Sequence, residues 1–232
     1  MKVQLEIYNP KWQNWYHNIQ KELSEQLQIL NPIIEHIGST AVLGLSAKPI
    51  IDILVGVPKQ FELDECIEPL TNKGYLFYKK YNSIMPYRRF FVMLQTKPKN
   101  IILPSVYYEN DVIPNELNKH KLAHIHILEH NSYHWLRHIA FREYIRKHCE
   151  VKNEYQKIKM QLSTKEWKDG NEYNAAKNDF IKMVEEKQSF GLKKTVRILV
   201  QSGNPKTESV NLISYCLFVA FKISLPKMNN TI

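Results

Sequence analysis

Glycine and cysteine are both scarce in this chain of 232 residues, at 7 and 3. So little glycine leaves no room for long flexible linkers. Cys66, Cys149 and Cys216 are odd in number and show no CxxC spacing, which argues against a disulfide framework or a structural zinc site and suits a reducing compartment. Several chemical signatures are missing as well: no GxxxxGK[ST] phosphate loop, no HExxH zinc helix, no GxSxG elbow and no Cys-His spacing of a nucleophilic site. The first residues, Met1-Lys2-Val3-Gln4-Leu5-Glu6, lack the apolar core of a signal peptide, so a cytoplasmic location is expected. The longest apolar run, Leu212 to Leu225, is interrupted by Lys222 and is too short to cross a bilayer. Packing against the rest of the chain is its default reading, and no membrane role is expected.

Charge adds a further exclusion. The net charge of +9 is unevenly placed, because residues 188–232 hold six Lys or Arg against one Glu. Residues 1–187 carry 26 basic and 22 acidic groups, a mild excess spread along the chain. That balance fits a binder of small anions such as nucleotides, not of duplex nucleic acid, which requires a concentrated basic face.

What the chain does have is a window at residues 36–57. Gly38-Ser39 follows one apolar run, and Asp52 lies inside a second run rich in β-branched residues. Two buried strands bracketing a small-residue turn, with one carboxylate in the second strand, suit a site that holds phosphate on the turn beside a cation on the aspartate.

Around this window the pattern is α/β. Asn9-Pro10 supplies an N-cap and a first-turn proline, and Trp12, Trp15, Ile19, Leu23, Leu27 and Leu30 follow at helical spacing until Asn31-Pro32. Strands are expected at 33–37 and 50–57, a helix at 61–73, strands at 74–78, 87–94 and 101–103, and a further strand at 122–128. From Ser132 to about Lys187 the pattern is helical.

Ile37-Gly38-Ser39-Thr40-Ala41-Val42 and Ala47-Lys48-Pro49-Ile50-Ile51-Asp52-Ile53 resemble the GrpB family, which is assigned to the nucleotidyltransferase superfamily and also occurs fused to some bacterial dephospho-CoA kinases. Tyr8-Asn9-Pro10-x-Trp12, Phe141-Arg142-Glu143-Tyr144-Ile145-Arg146, Tyr155 with Lys159, and Tyr173 with Lys177 and Phe180 extend the resemblance to residue 187. It implies a nucleotidyltransferase-like mixed sheet with flanking helices and a helical C-terminal half. It also sets a domain boundary, with residues 1–187 as the GrpB-like domain and 188–232 as an extension outside it.

The resemblance further implies a nucleoside triphosphate as substrate or ligand and a divalent cation, Mg²⁺ or Mn²⁺ or another transition metal. Gly38, Ser39 and Thr40 would approach the phosphates, and Asp52 would hold the metal. One departure stands out: the second acidic position, two residues on and on the same strand face, is Leu54. His124 and His126 share a face of the 122–128 strand and offer completion. With Asp52 they would form a metal or catalytic set; without metal they would bind phosphate oxygens or move protons, or simply be half-exposed strand histidines.

Basic groups complete the expected site. His134, His138, Arg142 and Arg146 recur every four residues as a polar helical stripe, and the arginines could meet phosphate or solvent. Lys48 lies four residues before Asp52. Lys159 and Lys177 each follow a tyrosine at i,i+4, to steady a phosphate or to lie over the ring. Arg88 and Arg89 point to opposite strand faces, and Arg89 is taken as the phosphate contact. The implied function is metal-dependent nucleotidyl transfer to a small acceptor; the alternative, favoured by Leu54, is a non-catalytic nucleotide- or cofactor-binding module.

Overall fold

The computed structural model describes residues 2–99 and 101–187. By contact it divides into two compact units, one up to Lys168 and one from Asp169 onward. The boundary expected at residue 187 and the apolar run at 212–225 concern residues outside those described.

The first unit is built on a five-stranded mixed sheet of order β1-β2-β5-β4-β3. β1 (Ile33–Ile37) runs antiparallel to β2 (Ile51–Val57), and β2 runs parallel to β5 (Lys121–Glu129). β4 (Arg88–Leu94) is antiparallel to β5, and the short β3 (Leu76–Phe77) closes the edge. The parallel pair sits in the centre, where the register sets Asp52 opposite His124 and Leu54 opposite His126.

Period-2 alternation divides these strands between two environments. Ile51, Ile53, Val55 and Val57 of β2, with Ala123, Ile125 and Ile127 of β5, are buried in the main apolar core. α1 (Lys11–Gln26) covers that face with Trp12, Tyr16, Ile19 and Leu23. Asn9 Oδ1 accepts from the Lys11 amide at 3.0 Å, which caps the helix start as its sequence predicts. Asn31 ends the following 3-10 turn in the left-handed region, φ 46°, and Pro32 directs the chain into β1.

The intervening helix is shorter than its pattern predicts. Gln60–Cys66 forms 3-10 turns and only Ile67–Asn72, α2, is α-helical; Pro69 lies within it, where its missing amide limits the helical bonds. No strand forms at 101–103. Instead Phe77 pairs with Val106, because the amides of Phe77 and Tyr107 reach Ser105 O and Phe77 O.

The helical half begins with α3 (Tyr133–Lys147), capped by Ser132 Oγ on the Trp135 amide at 3.3 Å. His148 adopts extended backbone and separates α3 from α4 (Cys149–Ser163). The second unit, described by itself, starts with α5 (Gly170–Ala176), whose cap is Asp169 Oδ1 on the amides of Asn171 and Glu172, both at 2.9 Å. Residues 178–187 are again helical. Among the described residues, no helix is long and apolar enough to cross a membrane.

Candidate functional site

The second face of the sheet is where polar residues collect. Its even-numbered positions bring Asp52 and Leu54 of β2, His124 and His126 of β5, and Arg88 and Phe90 of β4 onto one surface. At one end, β1 runs into Gly38. Here φ is +70° and ψ is −170°, a conformation that side chains avoid. A Cβ at this position would collide with Asp52 Oδ2 and stand only 2.9 Å from Asp52 Cβ. Glycine is therefore required because the carboxylate occupies the side-chain volume. The turn and the aspartate, fourteen positions apart in sequence, are in van der Waals contact.

Asp52 Oδ1 accepts from His124 Nδ1 at 3.2 Å, since a carboxylate oxygen can only accept here. That places a proton on His124 Nδ1. His126 is held the other way round. Arg88 Nη1 donates to His126 Nδ1 at 3.2 Å, and because a guanidinium has no acceptor, His126 carries its proton on Nε2. Burial, reinforced by Arg88, His138 and His124, holds the His126 pKa well below the usual histidine range. His138 of α3, its ring 6.0 Å from His126, is pushed down to about 4, chiefly by burial.

The expected metal set of Asp52, His124 and His126 does not fit a cation in this arrangement. His124 points an N–H at the carboxylate, Arg88 caps His126 Nδ1, and Leu54 is fully buried between them. Among the described residues, no group of three His, Cys, Asp or Glu is placed to hold a metal ion.

The turn itself is clamped from the helical half. Arg142 Nη1 donates to His36 O and to Glu35 Oε2, both at 2.7 Å. Arg146 donates to Ala41 O at 2.7 and 3.2 Å, and Glu143 ties the two arginines together. Gln156 binds both Ser46 N and Ser46 Oγ, at 2.8 and 2.9 Å. Of the expected stripe, Arg142 and Arg146 thus face the chain's own backbone at residues 36–41, while His134 stacks on Tyr87 and His138 lies near His126.

Lys159 is the most buried of these basic groups, at 2% exposure. Its ammonium lies 4.8 Å from the Tyr155 ring centroid and donates to Ser46 O and to Ser39 Oγ, the latter at 3.1 Å. A hydroxyl that accepts from lysine keeps its own proton to donate. Thr40 Oγ is paired with His36 Nε2 at 2.9 Å. His36 stacks on Tyr16 at 4.7 Å, and burial pushes its pKa down to about 4 even though Asp52 favours its charged form. Lys48 also feels the Asp52 charge, but burial prevails and lowers its pKa.

A comparison of the whole chain agrees with this architecture. The sequence profile described as "GrpB protein" matches residues 2–187. The chain belongs to the GrpB family. The glutamate-rich protein GrpB of Alkalihalophilus pseudofirmus is 30% identical over 173 residues, covering 73% of this chain and 87% of that protein. UPF0157 protein YqkA of Bacillus subtilis is 27% identical over 185 residues, 80% of this chain but 47% of YqkA, so this chain matches about half the length of that relative. A crystal structure of conserved protein GrpB from Enterococcus faecalis superimposes with a TM-score of 0.62 at 27% identity, covering 80% of this chain and 96% of that one. The GrpB fold, a central mixed sheet with flanking helices and a largely helical C-terminal half, is the one observed.

Within this GrpB fold the expected residues separate clearly. Gly38, Ser39, Thr40, Lys48, Asp52, His124, His126 and Lys159 lie at or next to the polar face. Arg89, the expected phosphate contact, lies on the opposite side of β4 and forks onto Asp64 at 2.5 and 3.2 Å. Arg88 takes its place on the polar face. Lys177 belongs to the second unit, 4.4 Å above the Tyr173 ring. Sequence reading also passed over His36 as a member of the turn. The signal was its i,i+4 spacing to Thr40, which is uninformative until the turn is known to fold back.

Proposed function

We propose that this chain is a non-catalytic binding module for a small phosphate-bearing ligand, a nucleotide or a nucleotide-containing cofactor, seated at the Gly38–Thr40 turn. The observation that carries this reading is the Ser39 hydroxyl, oriented by the buried Lys159 ammonium with its proton left to donate, on a glycine turn packed against Asp52. A phosphate there would gain that hydrogen bond and the field of Lys159 and Lys48. Transfer chemistry finds less support. The strand supplies one carboxylate, its second acidic position is the buried Leu54, and Asp52 is already engaged by His124.

The test is thermal unfolding with ATP, GTP, CTP and UTP, each in EDTA and again in Mg²⁺. A ligand at about 100 times its Kd adds about 2.7 kcal/mol, roughly 5–10 °C for a domain of this size. At least one nucleotide should raise Tm in EDTA, and Ser39→Ala and Lys159→Met should each cut the rise by about half or more. If none of the four does so, the reading fails. Pyrophosphate released from any of them would replace the non-catalytic reading with the catalytic one.

A further inference from the structure

Arg88 opens β4 on the polar face, and its guanidinium folds back to lie 5.1 Å from the Phe90 ring centroid. His126 Nδ1 accepts from Nη1, while Nε is buried and has no hydrogen-bond partner. No carboxylate among the described residues pairs with Arg88. Its neighbours differ sharply: Arg89 forks onto Asp64, Arg142 pairs with Glu35 and Glu143, and Arg146 pairs with Glu143.

The surroundings of Arg88 are similarly unmatched. Asn82 Oδ1, Tyr78 Oη and Tyr107 Oη are buried without partners. The two tyrosines belong to one aromatic cluster with Phe90, in which Tyr78 and Tyr81 lie 5.6 and 5.9 Å from the Phe90 ring and Tyr107 lies 5.1 Å from Tyr78, and Asn82 follows Tyr81 directly. A cation set in an apolar wall with no counter-charge destabilises the ligand-free fold. Such groups persist where a ligand supplies the missing partner.

We propose that Arg88 is an oxyanion receptor, binding the phosphate or carboxylate group of a small molecule. His126 occupies Nη1 and leaves the Nε–Nη2 edge, the side of the guanidinium that matches two oxygens of one acceptor. The aromatic cluster shields that edge from water. The receptor is separate from the Gly38–Thr40 turn, because β2 and β5 lie between β1 and β4, about 14 Å backbone to backbone. A ligand with two anionic groups would suit the pair.

Calorimetric titration with inorganic phosphate and, separately, with acetate tests the assignment, at constant ionic strength set with chloride. The titration is made in the Ser39→Ala chain, so that the turn contributes no phosphate binding; this chain should bind at least one of the two, and which one identifies the oxyanion. In that background Arg88→Met should weaken binding on the order of 10- to 100-fold, and Arg88→Lys should restore part of it. Without ligand, Arg88→Met should unfold at the same temperature as wild type or above it, since an unpaired buried charge has gone. Binding of neither anion by Ser39→Ala, binding that survives Arg88→Met in that background, or a lower unfolding temperature for ligand-free Arg88→Met would each overturn the proposal. The first proposal fails separately, through the nucleotide response of Ser39→Ala.

Discussion

The two faces of the central sheet use the same strands and the same alternation, yet they have opposite chemistry. On the α1 side, β2 and β5 present an unbroken apolar surface of Ile51, Ile53, Val55, Val57, Ala123, Ile125 and Ile127. On the other side, the same two strands present Asp52, His124 and His126, with Arg88 joining from β4. Burial of apolar area stabilises the first face at roughly 25 cal/mol per Å². The second face incurs desolvation of charged and polar groups, which their mutual hydrogen bonds offset in part. One side of the sheet supplies stability, and the other carries the polar groups on which the proposed site is built.

Leu54 is where this contrast is easiest to break. It is a fully buried apolar residue on the polar face, at the position where a second carboxylate would stand. Leu54→Asp would exchange a packed leucine for a charge whose strand-pair neighbours are His126 and Glu35. We expect a loss of about 4 kcal/mol or more, measurable by urea unfolding. A near-neutral result would mean that this face accommodates a second acid after all.

Gly38→Ala comes next, at about 2–4 kcal/mol, from the positive φ and the collision with Asp52. Gly170, where a Cβ meets nothing within 4 Å, is the control and should tolerate alanine. Equal effects at the two glycines would remove the argument that Asp52 dictates Gly38.

A third test is a pH dependence carried by three buried histidines, of which His36 stacks on Tyr16 of α1. His36 and His138 have native pKa values lowered from 6.5 to about 4, and that of His126 is held well below the usual histidine range by burial. All three are neutral in the native state, so the unfolded chain binds more protons once pH drops below 6.5. Their contribution is present above that pH and is lost as pH falls toward 4, by up to about 1.4 kcal/mol per pH unit for each group. His138→Gln should flatten the profile of stability against pH between 6.5 and 4. An unchanged slope would place His138 outside the linkage.

Much of this division is legible in the sequence where the signal is local. Gly38-Ser39, Asp52 in its apolar run and the alternating His124 and His126 are readable because a strand's period needs only neighbouring residues. Arg88 and Arg89 are a different case. Arg-Arg-Phe-Phe-Val-Met-Leu has no polar–apolar alternation, so its facing depends on the antiparallel register with β5, a long-range property. The role of Arg142 and Arg146 was hidden for a related reason. Their partners are carbonyls of His36 and Ala41, about a hundred residues earlier, and main-chain acceptors leave no mark in a sequence. The break at His148 has neither proline nor glycine to announce it.

The central claim is that the turn beside Asp52 binds phosphate through its own polar groups. It is tested most directly by calorimetric titration, in EDTA, of the nucleotide that gives the largest thermal shift. The account predicts binding without added metal, weakened on the order of tenfold or more in Ser39→Ala and Lys159→Met. Binding that requires Mg²⁺ and disappears in Asp52→Asn would contradict it, because the aspartate would then be acting as a metal ligand and the turn as its accessory.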